Sequence, residues 1–392
     1  MKIAVCGSGG KNWQEDLSTN LRETLQAFEQ SVDLAIVFVS HRLADEMPAL
    51  ASLLAEALPV GCQRVGVTAE TVIADDRERE AEAYVAVWLA SLPNCQVTTF
   101  SLDYLRSPDG GAFVGWPEEA GAWGDEKLRC AMLLADPFSF PADVLLDRLA
   151  EDRPGLPIVG GMGSGDFRPG GVRLLRNDSV ATQGATVVAV AGDLRVDAFV
   201  SQGCRPIGDP LVVTKAERNL ILELGGRPAY ERLKEIFARL PVRDQKLVRS
   251  GLHLGRVVDE YRDAFRAGDF LIRNVLGVDQ ETGAIQAADW FRPGQTVQFQ
   301  VRDGETASQD LQLELARSRE RDDRPWAGGL VFDCNGRGTR LFQESDHDAL
   351  ALQEKLGPLP LAGFFAQGEI GPVGGRSFLH GFTASVVLFG DR

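Results

Sequence analysis

Hydrophobic and polar positions along this chain switch between two periods, and the switching itself repeats. Short apolar runs rich in β-branched residues, bounded by glycine and proline, predict buried strands. DLAIVFVS (33–40) is such a run, and EMPALASLLAEAL (46–58) follows it with Leu50, Leu53, Leu54 and Ala57 on one helical face. VGCQRVGVTAETVI (60–73) and AYVAVWLA (83–90) complete the unit. The order returns in CAMLLAD (130–136), DVLLDRLAED (143–152), LPIVGGMGSGDF (156–167) and GATVVAVAG (184–192). It returns again in GGLVFDC (328–334), DALALQEKLG (348–357), LPLAGFFAQGEIG (359–371) and HGFTASVVLFG (380–390). Each unit reads strand, helix, Gly-rich strand and turn, strand, over roughly 60 residues.

From Ile36 to Val65, Leu133 to Val159 and Val331 to Ala362 the spacing is about 30 residues. That is the length of a right-handed crossover between parallel neighbours. The closing strand is expected as an antiparallel edge. Long insertions between units argue against a stacked solenoid. The expected class is therefore α/β (α+β): two domains with mixed β-sheets covered by helices, built from repeated strand-helix-strand-strand units. Residues 217–241 read as strand, Gly-Gly turn and amphipathic helix, and 265–303 as a three-run meander. A chain of 392 residues exceeds one core of ~250–300 residues. Pro206, Gly208 and Pro210 put the boundary near 200, giving 1–198, with a strand and helix at 1–30, and 199–392.

Composition narrows the function classes. A formal charge of −15 argues against a nucleic-acid partner. The mixed run RSRERDDR (317–324) reads as a solvated helix end. AYVAVWLASL (83–92) is half the length needed to span a bilayer, and MKIAVCGSGG is too short an apolar run for a secretory signal. The six cysteines lie far apart without a C-x-x-C pair, and the four histidines are scattered. No metal-ligand spacing and no cofactor follow, and a reducing, cytoplasmic setting is expected. Asp346-His347-Asp348 precedes a helical stretch and reads as an N-terminal cap rather than a metal site.

Several motifs have a plain structural reading. KIAVCGSGGKNW (2–13) lacks the third glycine of a dinucleotide fingerprint, since Asn12 stands there, and it fails as a P-loop. Ser164 in GGMGSGD is not a nucleophile elbow, because Met162 and Asp166 flank it in place of glycines. Cys334 and His380 stand at strand ends and offer a thiol pair on paper. The Gly-rich turns VGGMGSGD, DCNGRGTR (333–340) and AQGEIGPVGGR (366–376) fall where open sheets bind ligands, and carry Asn335, Arg337, Glu369, Arg376 and His380. An arginine can fork onto a carboxylate and a glutamate can accept from an ammonium. Tight-turn chemistry explains the same glycines equally well.

LAIVFVSH, VGVTAETVI and PIVGGMGSG in the first half, with FLIRNVLGVD, VFDCNGRG and FFAQGEIGPVGGRSFLHGFTASVVLF in the second, resemble the FIST family over nearly the whole chain. The likeness implies an N-terminal FIST domain at about 30–198 and a C-terminal one at about 199–389. One departure is GVTAET (66–71), where Thr71 replaces the family's usual glycine. Positions matching the C-terminal motifs are Arg273, Asn274, Asp279, Asp333, Cys334, Asn335, Gly336, Gly338, Gly368, Glu369, Gly371, Gly374 and His380.

The resemblance implies a sensory signal-transduction protein without enzymatic activity, binding a small polar ligand, with amino acids or derivatives as the favoured class. The expected ligand-binding residues are Arg273, Asn274, Cys334, Asn335, Arg337, Gly368, Glu369, Arg376 and His380. Arg337 or Arg376 would take a carboxylate and Glu369 an amine. With no room expected for an attached output module, the signal would pass to another protein or through self-association. Two rival readings are a protein-interaction scaffold without ligand and a thiol-dependent enzyme using Cys334 and His380.

Overall fold

Each repeat forms the crossover that its spacing predicts. In the computed structural model, which describes residues 1–29, 31–108, 110–117, 121–262, 264–265 and 267–392, the chain opens with β1 (Lys2–Gly9) and α1 (Trp13–Gln26). The first repeat is β2 (Leu34–Ser40), α2 (Met47–Ala57), β3 (Gln63–Ala69), the hairpin β4 (Val72–Ala74) and β5 (Arg77–Arg79), and β6 (Tyr84–Ser91). β7 (Cys95–Ser107), β8 (Gly110–Val114) and the single turn α3 (Gly121–Gly124) lead to the second. That repeat comprises β9 (Leu128–Ala135), α4 (Ala142–Asp152), β10 (Ile158–Met162), the hairpin β11 (Leu174–Arg176) and β12 (Ser179–Ala181), and β13 (Ala185–Gly192). β14 (Leu194–Gln202) follows.

The middle of the chain supplies β15 (Cys204–Glu217), β16 (Leu220–Leu224), β17 (Arg227–Pro228), α5 (Ala229–Arg239), α6 (Val242–Ser250) and β18 (Leu252–Val257). β19 (Phe270–Val278), β20 (Ile285–Ala287), β21 (Thr296–Arg302) and α7 (Gly304–Arg321) come next. The third repeat is β22 (Gly328–Cys334), α8 (His347–Leu356), β23 (Leu361–Ala366), the hairpin β24 (Glu369–Val373) and β25 (Arg376–His380), and β26 (Thr383–Asp391).

One unit comprises Met1–Val200, Gln312–Leu379 and Thr383–Arg392; the other comprises Ser201–Leu311 and His380–Phe382. The chain leaves the first unit after Val200, returns to it at Gln312 and leaves it again for His380–Phe382. All three repeats lie in the first unit, apart from His380 at the end of β25.

In every repeat the first two strands are parallel and the closing strand lies antiparallel to the first. The hairpin leaves its own sheet. β4–β5 extends the third repeat beside β23, β11–β12 extends the first beside β3, and β24–β25 extends the second beside β10. Three sheets are thus joined in a cycle. The closing strands are not the edges expected of them: β1, β7 and β14 pair outside β6, β13 and β26. β6 and β13 are buried almost end to end and need a partner on each side.

Alternation along each strand sorts its side chains between two layers. Ile36 and Phe38 enter a common core with Met132, Leu134, Phe332 and Phe364. Ala35, Val37 and Val39 pack under α1 and α2, and Ala131, Leu133 and Ala135 under α4. Phe38, Phe332 and Phe364 form a mutual contact with centroids 5.4–6.3 Å apart, a geometry worth about 1 kcal/mol per pair beyond burial. Gly66, Gly160 and Gly363 face Val37, Leu133 and Val331 across the parallel ladders. A Cβ on them would lie 2.6, 2.1 and 1.8 Å from those residues' carbonyl oxygens. Only glycine allows that approach.

The second unit closes its sheet. The order β15-β21-β18-β19-β20-β16 returns to β15 through the β15–β16 pairing, forming a barrel. β19 and β20 are neighbours, as a meander requires, but β21 inserts between β15 and β18. Its Val297, Phe299 and Val301 join Leu254, Ile285 and Leu224 in the barrel core.

Candidate functional site

The Gly-rich second strands of the three repeats end together, and they bond to one another. Ser164 N–H donates to Thr68 O at 3.1 Å, Phe365 N–H to Thr71 O at 3.0 Å, and Met162 N–H to Gly368 O at 2.8 Å. Gln367 N–H returns a bond to Met162 O at 3.1 Å. Ser164 Oγ accepts from Glu70 N–H at 2.9 Å and donates to Phe365 O. These amides are used internally and are not offered to a guest. Thr71, where the family usually has glycine, is absent from the residues of positive φ among those described, so its side chain fits without backbone strain.

On the helix side of the third repeat the polar residues are buried. Arg337 and Asp348, neither exposed, form a two-point ion pair, with Nη2 2.9 Å from Oδ1. Burial alone would raise the Asp348 carboxyl, but Arg337 holds it at about 2. Arg337 also lies over the Phe342 ring, which stacks on His347 at 3.6 Å. Asp333, at the end of β22, is fully buried. Burial first, then Asp348, push its carboxyl well above the ordinary range, and Glu78 and Glu369 add to this while Arg337 opposes. Burial and Asp348 raise Glu78 to about 8. Glu369 accepts from the Thr383 hydroxyl at 2.8 Å and its N–H at 3.0 Å.

Five of the nine sequence-predicted residues therefore gather near these strand ends: Cys334, Asn335, Arg337, Gly368 and Glu369. Their reach toward a ligand differs from the expectation. Arg337 and Glu369 are buried and engaged with Asp348 and Thr383, because an enclosed charge must be paired inside the protein. Cys334 Sγ accepts from Gly336 N–H at 3.5 Å, Asn335 N–H donates to Ala366 O at 3.0 Å, and Gly368 packs under Leu379. Arg376 is exposed and pairs with Asp147 at 3.3 Å. Arg273 and Asn274 lie on β19 of the barrel, Arg273 paired with Asp289 at 3.0 Å, and His380 is assigned to that same unit. Cys334 and His380 fall in different units.

An open cleft lies at the corresponding end of the first repeat. His41, Asp45, Asp166, Arg168 and Arg173 line a cavity of about 430 Å³. Gly165, at φ +94, lets the His41 ring approach to where a Cβ would be 2.5 Å from it. His41 Nδ1 has no hydrogen-bond partner among the described residues. Arg173 meets Asp45 at 3.3 Å and Arg168 meets Asp166 at 3.3 Å, with Asp45 and Arg168 largely exposed. Exposed pairs of this kind contribute little and open easily. The motif GSGDF lies at this place in the sequence; its partner His41 opens the 3-10 turn after β2 and closes the run LAIVFVSH, which carries the family likeness but no sign of ligand chemistry. Larger hollows of about 580 and 480 Å³ border α2, away from the strand ends.

Repeated crossovers with exchanged hairpins, beside a closed barrel, define a two-unit α/β protein with a charged cleft at one strand end. The FIST N domain matches residues 33–227 and the FIST C domain matches 229–372. The chain belongs to the FIST family. An uncharacterized protein of Mycobacterium tuberculosis strain H37Rv is 45% identical over 359 residues, 91% of each chain. One from Mycobacterium bovis is 44% identical over 352 residues, 90% of this chain and 88% of its own. FIST domains are in general sensory domains of signal transduction. No helix among the described residues is long and apolar enough to cross a membrane.

Proposed function

We propose that this chain is a cytoplasmic sensory protein that binds a small polar ligand, an amino acid or a derivative, and acts by binding rather than by catalysis. One observation carries the reading: the cleft at the end of β2 sets two arginines, two aspartates and His41 around a cavity of about 430 Å³. That volume suits a small ligand. Arg173 and Arg168 would take its carboxylate, and Asp45 or Asp166 its amine, each leaving a weak surface pair to do so. Six free thiols suit a reducing compartment. The bound state would be relayed to another protein or to a second copy.

Thermal unfolding against a panel of common amino acids and simple derivatives tests this. A ligand at 100 times its Kd stabilises by about 2.7 kcal/mol. Arg173→Ala and Asp166→Ala should abolish the shift while costing about 1 kcal/mol of ligand-free stability each, since both side chains are half-buried and hydrogen-bond to the backbone of their own loop. A panel that leaves the wild type unshifted, or a shift that both variants retain, sinks the reading.

A further inference from the structure

We infer that Glu78, Asp333 and Asp348 form a binding site for one divalent, oxygen-seeking cation, between the end of β22, the exchanged hairpin β4–β5 and the first turn of α8. One carboxylate oxygen from each lies within 4.8 Å of the other two. A single ion at hard-cation bond lengths of ~2.0–2.6 Å bridges that spread. Asp333 is fully enclosed, and neither of its carboxylate oxygens meets a hydrogen-bond donor; Oε2 of Glu78 is in the same condition. Buried polar atoms are nearly always satisfied, so these point to a partner that the protein does not itself supply. Arg337 balances Asp348. Glu78 and Asp333, once they release their protons to the ion, supply two negative charges, which one divalent ion neutralises. Glu369 is held by Thr383, and His347 Nδ1 rests on Asp348 at 2.9 Å.

The sister repeats show that the fold does not need these acids. Asp333 lies between Phe365 and Ala384, as Val39 lies between Thr68 and Val85, and Ala135 between Met162 and Ala185. These three positions are equivalent, and two are apolar. Glu78 faces Ile73 in its hairpin as Val180 faces Leu175, and Ile73 and Leu175 face the equivalent glycines Gly363 and Gly66. Valine therefore serves at both places elsewhere in the chain, and the carboxylates are particular to the third sheet. An all-oxygen set favours Mg²⁺, Mn²⁺ or Ca²⁺ over metals that prefer nitrogen or sulfur. The inference is independent of the cleft at His41.

Full-length protein stripped with EDTA and titrated with Mn²⁺, read by the electron paramagnetic resonance signal of the free ion, tests it. The expected result is one Mn²⁺ per chain, displaced by Mg²⁺ or Ca²⁺. Asp333→Asn should weaken binding by at least about 100-fold, the upper end of what loss of an outer-shell group costs. Glu78→Gln retains an oxygen for the α8 amides and is the second variant should Asp333→Asn not fold; the same loss is expected. No Mn²⁺ bound by the wild type at millimolar concentration, or affinity unchanged in the folded variants, overturns the site.

Discussion

Glu78 and Asp346 exchange support across 268 residues of chain: the N–H of Glu78 donates to Asp346 Oδ1 at 2.7 Å. Glu78 Oε1 in turn accepts from the N–H groups of Asp348 and Ala349 at 2.8 and 3.1 Å. The result is the logic of a capping box split between a hairpin and a helix. Asp346 takes the left-handed conformation, φ 61, and makes no side-chain bond to its own helix. The triplet Asp346-His347-Asp348 is therefore a helix start, as its composition suggests, but the capping oxygen comes from the first repeat. Arg77 Nε, 3.1 Å from Asp346 Oδ2, fixes the same junction.

Arg337→Ala should destabilise the first unit by about 3–5 kcal/mol, because Asp348 would remain buried without its guanidinium, with only His347 beside it. Urea unfolding measures this. Arg337→Met with Asp348→Leu should recover most of the loss, since removing both charges also removes the desolvation cost. A single variant as stable as the wild type would show that Asp348 finds solvent.

Ser164→Ala should cost about 1–3 kcal/mol, as the Glu70 amide and the Phe365 carbonyl would each lose a buried partner. Hydrogen exchange should rise at Glu70. Ser164→Thr keeps the hydroxyl but adds a methyl group to a site 1% exposed, so it should rescue only in part.

Gly363→Ala puts a methyl group 1.8 Å from the Val331 carbonyl oxygen and should destabilise by about 3 kcal/mol or more. Gly374→Ala meets open space and carries only the strain of φ +61, roughly 1 kcal/mol. Soluble yield and melting temperature should rank the two in that order.

His253 should make the barrel unit lose stability in acid. Burial first, then Arg302, lower its pKa to about 4, while the Asn274 hydrogen bond opposes. Its folded pKa lies below the unfolded 6.5, so its contribution is complete above pH 6.5 and is lost as pH falls toward 4. The difference is up to roughly 3 kcal/mol. His253→Gln should remove that part of the pH dependence. Glu78, raised to about 8, acts in the opposite sense over this window, so the comparison is between variant and wild type, not of absolute slopes.

The repeats were legible because period-two alternation and jammed glycines such as Gly66 and Gly363 leave a local trace. The hairpin exchange was not. β4 and β5 are three residues each, and nothing in VIA or RER names the strand it will meet. Glu78 lay unnoticed in that short segment for the same reason. Asp333 stood among the family-matching positions, yet its meaning required setting it beside Val39 and Ala135 in a shared register. Arg337 and Glu369 stand out in the sequence as charges among glycines, but a one-dimensional pattern cannot distinguish a charge facing a guest from one facing Asp348 or Thr383.

The traded ribbons also bear on biosynthesis. Residues 72–79 leave the ribosome long before 361–366, the ladder they must extend, has been made. Until then that edge is bare, and contacts of such separation are slow to form. The nascent chain has to wait, shielded, for its own far end, and any fragment that stops short of β23 leaves this ribbon without its seat.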